Sequence, residues 1–93
     1  MQIDHIQEET KGAFRIMNEG KEAARMTYSK AGTSMIIIDH TEVSDSLRGQ
    51  GAGKKLVMAA VEYARDKKLR ILPLCPFAKS VFDKTAEIRD VLQ

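Results

Sequence analysis

A single cysteine, Cys75, excludes any disulfide within the chain, and with only two histidines it argues against a tetrahedral zinc site. No metal is therefore expected. No apolar run approaches the roughly 18 residues of a membrane span, and the opening stretch Met1–Thr10 has no signal-like apolar segment. These absences point to the cytoplasm or another reducing compartment, with no membrane partner. Charge of one sign is missing too. Fifteen basic against thirteen acidic residues leave a formal charge of +2, too even a balance to predict nucleic-acid binding. No repeat, linker or low-complexity segment interrupts the chain. At 93 residues, 30% charged and 43% hydrophobic, it is long enough for one core and too short for a two-domain enzyme, so residues 1–93 are read as one domain.

What the chain does contain is concentrated between Met35 and Lys55. Met35, Ile36, Ile37 and Ile38 form an apolar run with the pattern of a strand buried on both faces. A polar turn follows, and Arg48-Gly49-Gln50-Gly51-Ala52-Gly53 leads straight into a helical pattern. Strand, glycine-rich turn and helix together build an anion site. Successive backbone N–H groups converge on one concavity, with the positive end of the helix dipole behind it. Glycine suits such a turn because a side chain would hold a phosphate away from the backbone. The expected ligand group is a diphosphate.

Upstream, Met1–Lys11 is polar apart from Ile3 and Ile6, and reads as a short edge strand or an irregular start with His5 exposed to solvent. Gly12–Met17 alternates, with Phe14 and Ile16 on one side. Ala23–Ser29 alternates again, with Ala24, Met26 and Tyr28 together. The turns Asn18-Glu19-Gly20 and Lys30-Ala31-Gly32-Thr33 make two successive hairpins, hence an antiparallel meander of three strands.

Downstream, Leu56, Val57, Ala60, Val61 and Ala64 fall at the spacing of one helix face across Ala52–Lys68. Lys67 and Lys68 suit the negative end of that helix. Lys54 and Lys55 sit at its positive end, a misfit that a bound anion resolves and that two solvated lysines tolerate at a few tenths of a kcal/mol. Leu69–Leu74 reads as a strand parallel to the central one, because a helix joins them. Pro73 removes a ladder donor. It either ends that strand or marks where the two parallel strands part, opening a wedge whose free backbone can bond a thread-like ligand. Cys75-Pro76-Phe77 opens a second helix, with Phe77, Ala78, Val81 and Phe82 as its packing face. Thr85–Gln93 reads as a final short helix carrying Ile88, Val91 and Leu92. The fold class is α/β, a mixed sheet made of an antiparallel meander plus one parallel strand and flanked by helices.

Three kinds of phosphate loop compete for the glycine-rich turn. A Walker loop needs Gly-x-x-x-x-Gly-Lys-Ser/Thr, but Gly53-Lys54 is followed by Lys55, and position 48 is Arg48. A dinucleotide fingerprint fits at Gly49 and Gly51 but has Lys54 in its third glycine position, and the chain lacks room for paired βαβ halves. The third pattern, Arg/Gln-x-x-Gly-x-Gly/Ala after an antiparallel meander, is filled by Arg48, Gln50, Gly51 and Gly53. Here the sequence resembles the GNAT acetyltransferase superfamily. His40-Thr41-Glu42-Val43, Leu47–Gly53 and Leu74-Cys75-Pro76-Phe77-Ala78-Lys79 together look like its small single-domain members of about a hundred residues, over nearly all of Gly12–Phe82. The resemblance implies a minimal GNAT-like fold that binds acetyl-coenzyme A. Its pyrophosphate would lie among Arg48, Gly49, Gln50, Gly51, Ala52, Gly53 and Lys54, its pantetheine arm in the wedge, and Val43 near the thioester.

Acetyl transfer needs a held acceptor, a base for its proton and a donor for the leaving thiolate. Cys75 is a candidate: at the N-cap of a helix, the dipole lowers a thiol's pKa, so it can protonate the departing coenzyme A or accept the acetyl group itself. A buried small hydrophobe is the competing reading. His40 and Glu42 are two apart and share a side of a regular strand, so either can be the general base, or both are simply strand-end residues. The chain departs from larger members of the superfamily in lacking helices after the first strand. It also has no tyrosine in the helix after the second parallel strand. The expected function is an acetyl-coenzyme A-dependent N-acetyltransferase on an amine, with a protein or peptide acceptor suggested by the open cofactor face. The alternatives are a non-catalytic acyl-coenzyme A binding or sensing module, and a basic nucleic-acid domain using Lys54, Lys55, Lys67, Lys68 and Arg70, which lacks an aromatic platform.

Overall fold

Alternating apolar and polar residues in the first half of the chain pair into one sheet whose five strands lie in sequence order. A computed structural model describes residues 2–93. Strands β1 (Ile3–Gln7), β2 (Lys11–Asn18), β3 (Lys21–Ala31) and β4 (Met35–Val43) run antiparallel in turn, and β5 (Arg70–Pro73) joins β4 in parallel. The mixed sheet matches expectation, but its meander has four strands rather than three. Strand β1 is recruited by side chains that the polar sequence around it conceals. Ile3 lies across from Ile16, and His5 across from Phe14.

His5 is accordingly not a solvated residue. Its ring stacks on Phe14 with centroids 4.1 Å apart and meets Tyr63 edge-on at 4.5 Å. Its Nε2 shares a 2.7 Å hydrogen bond with the Tyr28 hydroxyl. Gly12 makes room for this cluster: a Cβ there would lie 2.4 Å from the Tyr28 ring and 2.7 Å from the carbonyl of Ile6. The β2–β3 hairpin closes through Glu19 and Gly20, both at positive φ (52° and 77°), the turn whose twist matches that of the flanking strands.

Helix α1 (Ala52–Lys67) lays Leu56, Val57, Ala60, Val61 and Ala64 on the sheet with no measurable exposure. Helix α2 (Pro76–Lys84) adds Ala78, Val81 and Phe82 to the same core, which includes Phe14, Met26, Tyr28, Ile36, Ile38 and Ile71 from one side of the sheet. Among the described residues the other side has no helix over it. The central run is therefore buried on one face only: Ile36 and Ile38 are buried, whereas Met35 and Ile37 are partly exposed. The final helix expected over Thr85–Gln93 is a 3-10 segment, Ala86–Val91. Its buried residues Ile88 and Val91 are three apart, the 3-10 period. Leu92 then bridges to Ile71, and the Gln93 amide donates to the Ile71 carbonyl at 2.8 Å.

Partial burial, and then the charge of Lys30, hold the His5 pKa below its ordinary 6.5. The unfolded chain thus takes up a proton near pH 6.5 before the native state does. The His5 contribution to stability is intact above that pH, declines as the pH falls below it, and levels off under the native pKa. Urea titrations from about pH 7 to about pH 5.5 are expected to show a falling midpoint. His5→Phe should flatten that part of the profile.

Candidate functional site

Strand β4 pairs with β5 only from Met35 to Ile38, opposite Arg70 to Pro73, yet it continues to Val43. Pro73 has no N–H, and the amides of Leu74 and Cys75 both donate to the Ile38 carbonyl, at 3.1 and 3.2 Å. The chain thereby turns off the ladder. Both outcomes left open for Pro73 occur together: it ends β5, and the parallel strands part there. Beyond Ile38, β4 remains paired with β3 and, among the described residues, has no strand on its other edge.

The β3–β4 register shifts at this level. Thr27 faces His40 while Tyr28 faces Ile38, leaving Asp39 as an extra residue in β4. Such a bulge re-aims the side chains after it. Thr41 lies opposite Met26, on the helix-covered face; His40 and Glu42 lie opposite Thr27 and Arg25, on the uncovered one. The Asp39 carboxylate accepts a hydrogen bond from Ser29 Oγ at 2.8 Å.

After β4, a 3-10 turn at Asp45–Leu47 anchors itself through buried Leu47. Gly49 and Gly51 then take positive φ (80° and 70°), conformations closed to most side chains, and nothing lies within 4 Å of where a Cβ at either would stand. The amides of Arg48 and Gln50 close the turn on Asp45 and Leu47 carbonyls. Among the described residues, those of Gly49, Gly51, Ala52, Gly53 and Lys54 donate to no backbone carbonyl. The first turn of α1 has no acidic residue and no side-chain cap. This donor set, with the helix dipole behind it, fits an anion. Gln50 is the exception among the expected residues. Its side-chain amide reaches the Ser46 carbonyl at 3.4 Å, and it shapes the turn instead of facing the cleft.

Gly53 lines the cleft and has a packing role besides. It lies inside α1, where a Cβ would come within 2.5 Å of the Phe77 ring, so glycine here permits helix–helix contact. Phe77 is correspondingly no core residue: it lies across Gly53 and is 42% exposed. Between turn and α2 runs a cleft of about 450 Å³. Val43, Leu47, Phe77 and Val81 give it apolar walls; Arg48, Lys54 and Lys84 give it charge, and among the described residues no acidic one lines it. Lys55 stays outside. Ser80, Lys84 and Thr85 were not anticipated as lining, although Phe77, Ser80, Val81 and Lys84 fall at i, i+3, i+4 and i+7, the spacing of one helix face.

Cys75 is the N-cap residue of α2, 5% exposed, with Sγ 3.4 Å from Thr41 Oγ1 across the wedge. Burial pushes the thiol up, but hydrogen bonding with the Thr41 hydroxyl and with the backbone of Ala78, Phe77 and Thr41 outweighs it, leaving the pKa below the ordinary 9.0. The parting strands thus bring Cys75 and Thr41 together. His40 and Glu42 stand at the same strand end but on the opposite face, so no Cys–His pair forms.

A family model described as GCN5-related N-acetyl-transferase matches residues 13–91. Protein NATD1 of Gallus gallus is 28% identical over 75 residues, covering 81% of this chain and 67% of that protein, about two thirds of its length. A GCN5-like protein from Staphylococcus aureus, solved in solution by NMR, superposes with a TM-score of 0.74 at 43% identity, over 97% of this chain and 87% of that one. The structure of AAC(6')-Iy in complex with a bisubstrate analogue, CoA-S-monomethyl-acetylneamine, gives a TM-score of 0.59 at 16% identity, over 83% of this chain and 61% of that one, a likeness of fold alone.

Two outcomes follow from this geometry. The ultraviolet absorbance of the Cys75 thiolate should titrate with a midpoint below 9, moving up in Thr41→Val. Gly53→Ala should displace the half-exposed Phe77 ring while gaining about 1 kcal/mol of helix propensity, so chemical denaturation should show a net change of about 1 kcal/mol or less.

Proposed function

The chain belongs to the GCN5-related N-acetyltransferase family, and from that premise we propose that it is an acetyl-coenzyme A-dependent acyltransferase acting on an amine, with residues 1–93 as one coenzyme A-binding domain. The observation that carries this reading is the parting of β4 and β5 at Pro73, beside a cradle of unpartnered amides. Bound acetyl-coenzyme A supplies an activated thioester. The amides of Gly49, Gly51, Ala52, Gly53 and Lys54 hold the pyrophosphate, the side chains of Arg48 and Lys54 add positive charge, and Val43 offers apolar contact and backbone groups to the pantetheine arm. The blocks His40–Val43, Leu47–Gly53 and Leu74–Lys79 are our reason for placing the chain among the small single-domain members, and the single cysteine is our reason for placing it in the cytoplasm.

The bulge at Asp39 divides the labour of transfer. Cys75, on the helix-covered side, holds a proton for the leaving thiolate, or accepts the acetyl group. His40 or Glu42, on the uncovered side, takes the proton of the acceptor amine. Acid and base then approach the reacting carbon from opposite sides of one strand. The uncovered face leaves space for a large acceptor, such as a protein or peptide amine. One observation favours a second reading, a non-catalytic acyl-coenzyme A binding or sensing module: among the described residues no side chain links Cys75 to His40 or Glu42.

Thermal and chemical denaturation with coenzyme A, acetyl-coenzyme A and NAD test the cofactor. At a hundredfold excess over the dissociation constant, coenzyme A should add about 2.7 kcal/mol of stability, and NAD should add none. With acetyl-coenzyme A and a peptide amine, Cys75→Ala should lower turnover about a hundredfold or more while coenzyme A affinity is kept. Binding without turnover on any amine would favour the sensing module. Absence of binding would defeat both readings.

A further inference from the structure

Lys84 stands in the last turn of α2 and faces the cleft from that helix. We propose that Lys84, with the Thr85 hydroxyl next to it, forms a second phosphate subsite that reads the ribose 3′-phosphate of coenzyme A, so that the cleft selects coenzyme A over its dephospho form. The proposal rests on the cofactor reading above and adds to it a group that distinguishes coenzyme A from other diphosphate ligands.

Three observations converge on it. The first is charge. Of the three cations lining the cleft, Arg48 is paired with Asp45, and Lys54 stands at the amide cradle. Lys84 makes no ion pair among the described residues, whereas Lys79 on the same helix is paired with Asp83 at 3.2 Å. The second is the helix end. A lysine in a last turn ordinarily answers the helix's exposed carbonyls, but here the Arg89 guanidinium donates to the carbonyls of Phe82, at 2.9 Å, and of Asp83. The negative end of α2 is met by Arg89, which also weakens its repulsion of an anion. The third is layout. Apolar Val43, Phe77 and Val81 share the cleft with the cradle and with Lys84, within a volume in the range of small-molecule sites. That combination suits a nucleoside carrying phosphate at two positions.

Titration calorimetry with coenzyme A and dephospho-coenzyme A tests the subsite without recourse to activity. The unaltered protein is expected to bind coenzyme A about fivefold more tightly, the ratio an accessible ion pair supplies, and the ratio should shrink as salt is raised. Lys84→Gln should bring it to about one by weakening coenzyme A alone, with dephospho-coenzyme A unchanged. Lys79→Gln, which alters a paired charge on the same helix, should leave the ratio intact. Equal affinities in the unaltered protein, or equal weakening of both ligands by Lys84→Gln, overturn the subsite and leave the cofactor reading standing. Failure of both ligands to bind overturns the two together.

Discussion

One carbonyl organises the site. The oxygen of Ile38 accepts the amides of both Leu74 and Cys75, because Pro73 has no N–H to carry the parallel ladder onward. Two consequences follow from that doubled acceptor. Strand β4 runs on to Val43 with its β5-side edge open, in a molecule whose other strand edges inside the sheet are paired. Cys75 is also delivered to the N-cap of α2, close enough to Thr41 for the two side chains to touch across the gap. A continued ladder would have closed the gap and carried the thiol elsewhere.

The remainder of the chain holds that gap and the glycine turn in fixed relation. Leu56, Val57 and Val61 have no exposure, and burying a side chain of this kind is worth about 1.5–3 kcal/mol each. Helix α1 is thus seated firmly, and its first amides point where the turn leaves them. Gly53 lets α2 approach until Phe77 lies over it, which makes one wall of the cleft from the same contact that joins the helices. The Arg65 guanidinium, bonded to Asp90 at 2.8 Å and to the Glu87 carbonyl at 2.9 Å, holds the C-terminal segment against α1. Polar groups at the site are left without backbone partners, while the core behind them is fully packed.

Much of this was legible because its signals are local. The 3.6-residue spacing of the α1 face, the glycine turn before it, and Pro76 after Cys75 each act over one or two turns of chain. Other features were hidden because their causes are remote. His5 looks solvated until Phe14, Tyr28 and Tyr63 pack around it and leave it partly buried on β1. Phe77 has the spacing of a core residue but lies across Gly53, a position set by how α1 and α2 meet. The run Met35–Ile38 looks buried on both sides, yet among the described residues no helix covers the second one. Lys84 is one of fifteen basic residues in the sequence, and only the packing of α2 along the turn turns it toward the cleft.

By itself, the sequence determined strands β2 to β5, helices α1 and α2, their order, the mixed character of the sheet and a glycine-rich turn at the start of α1, since periodicity and turn chemistry act between near neighbours. Which side of the sheet each candidate group occupies was decided by tertiary structure. The extra residue at Asp39 moves Thr41 to the covered face and His40 and Glu42 to the open one. Strand alternation alone shows that His40 and Glu42 agree with each other; the face they share depends on pairing with β3, residues distant in the chain and adjacent only after folding.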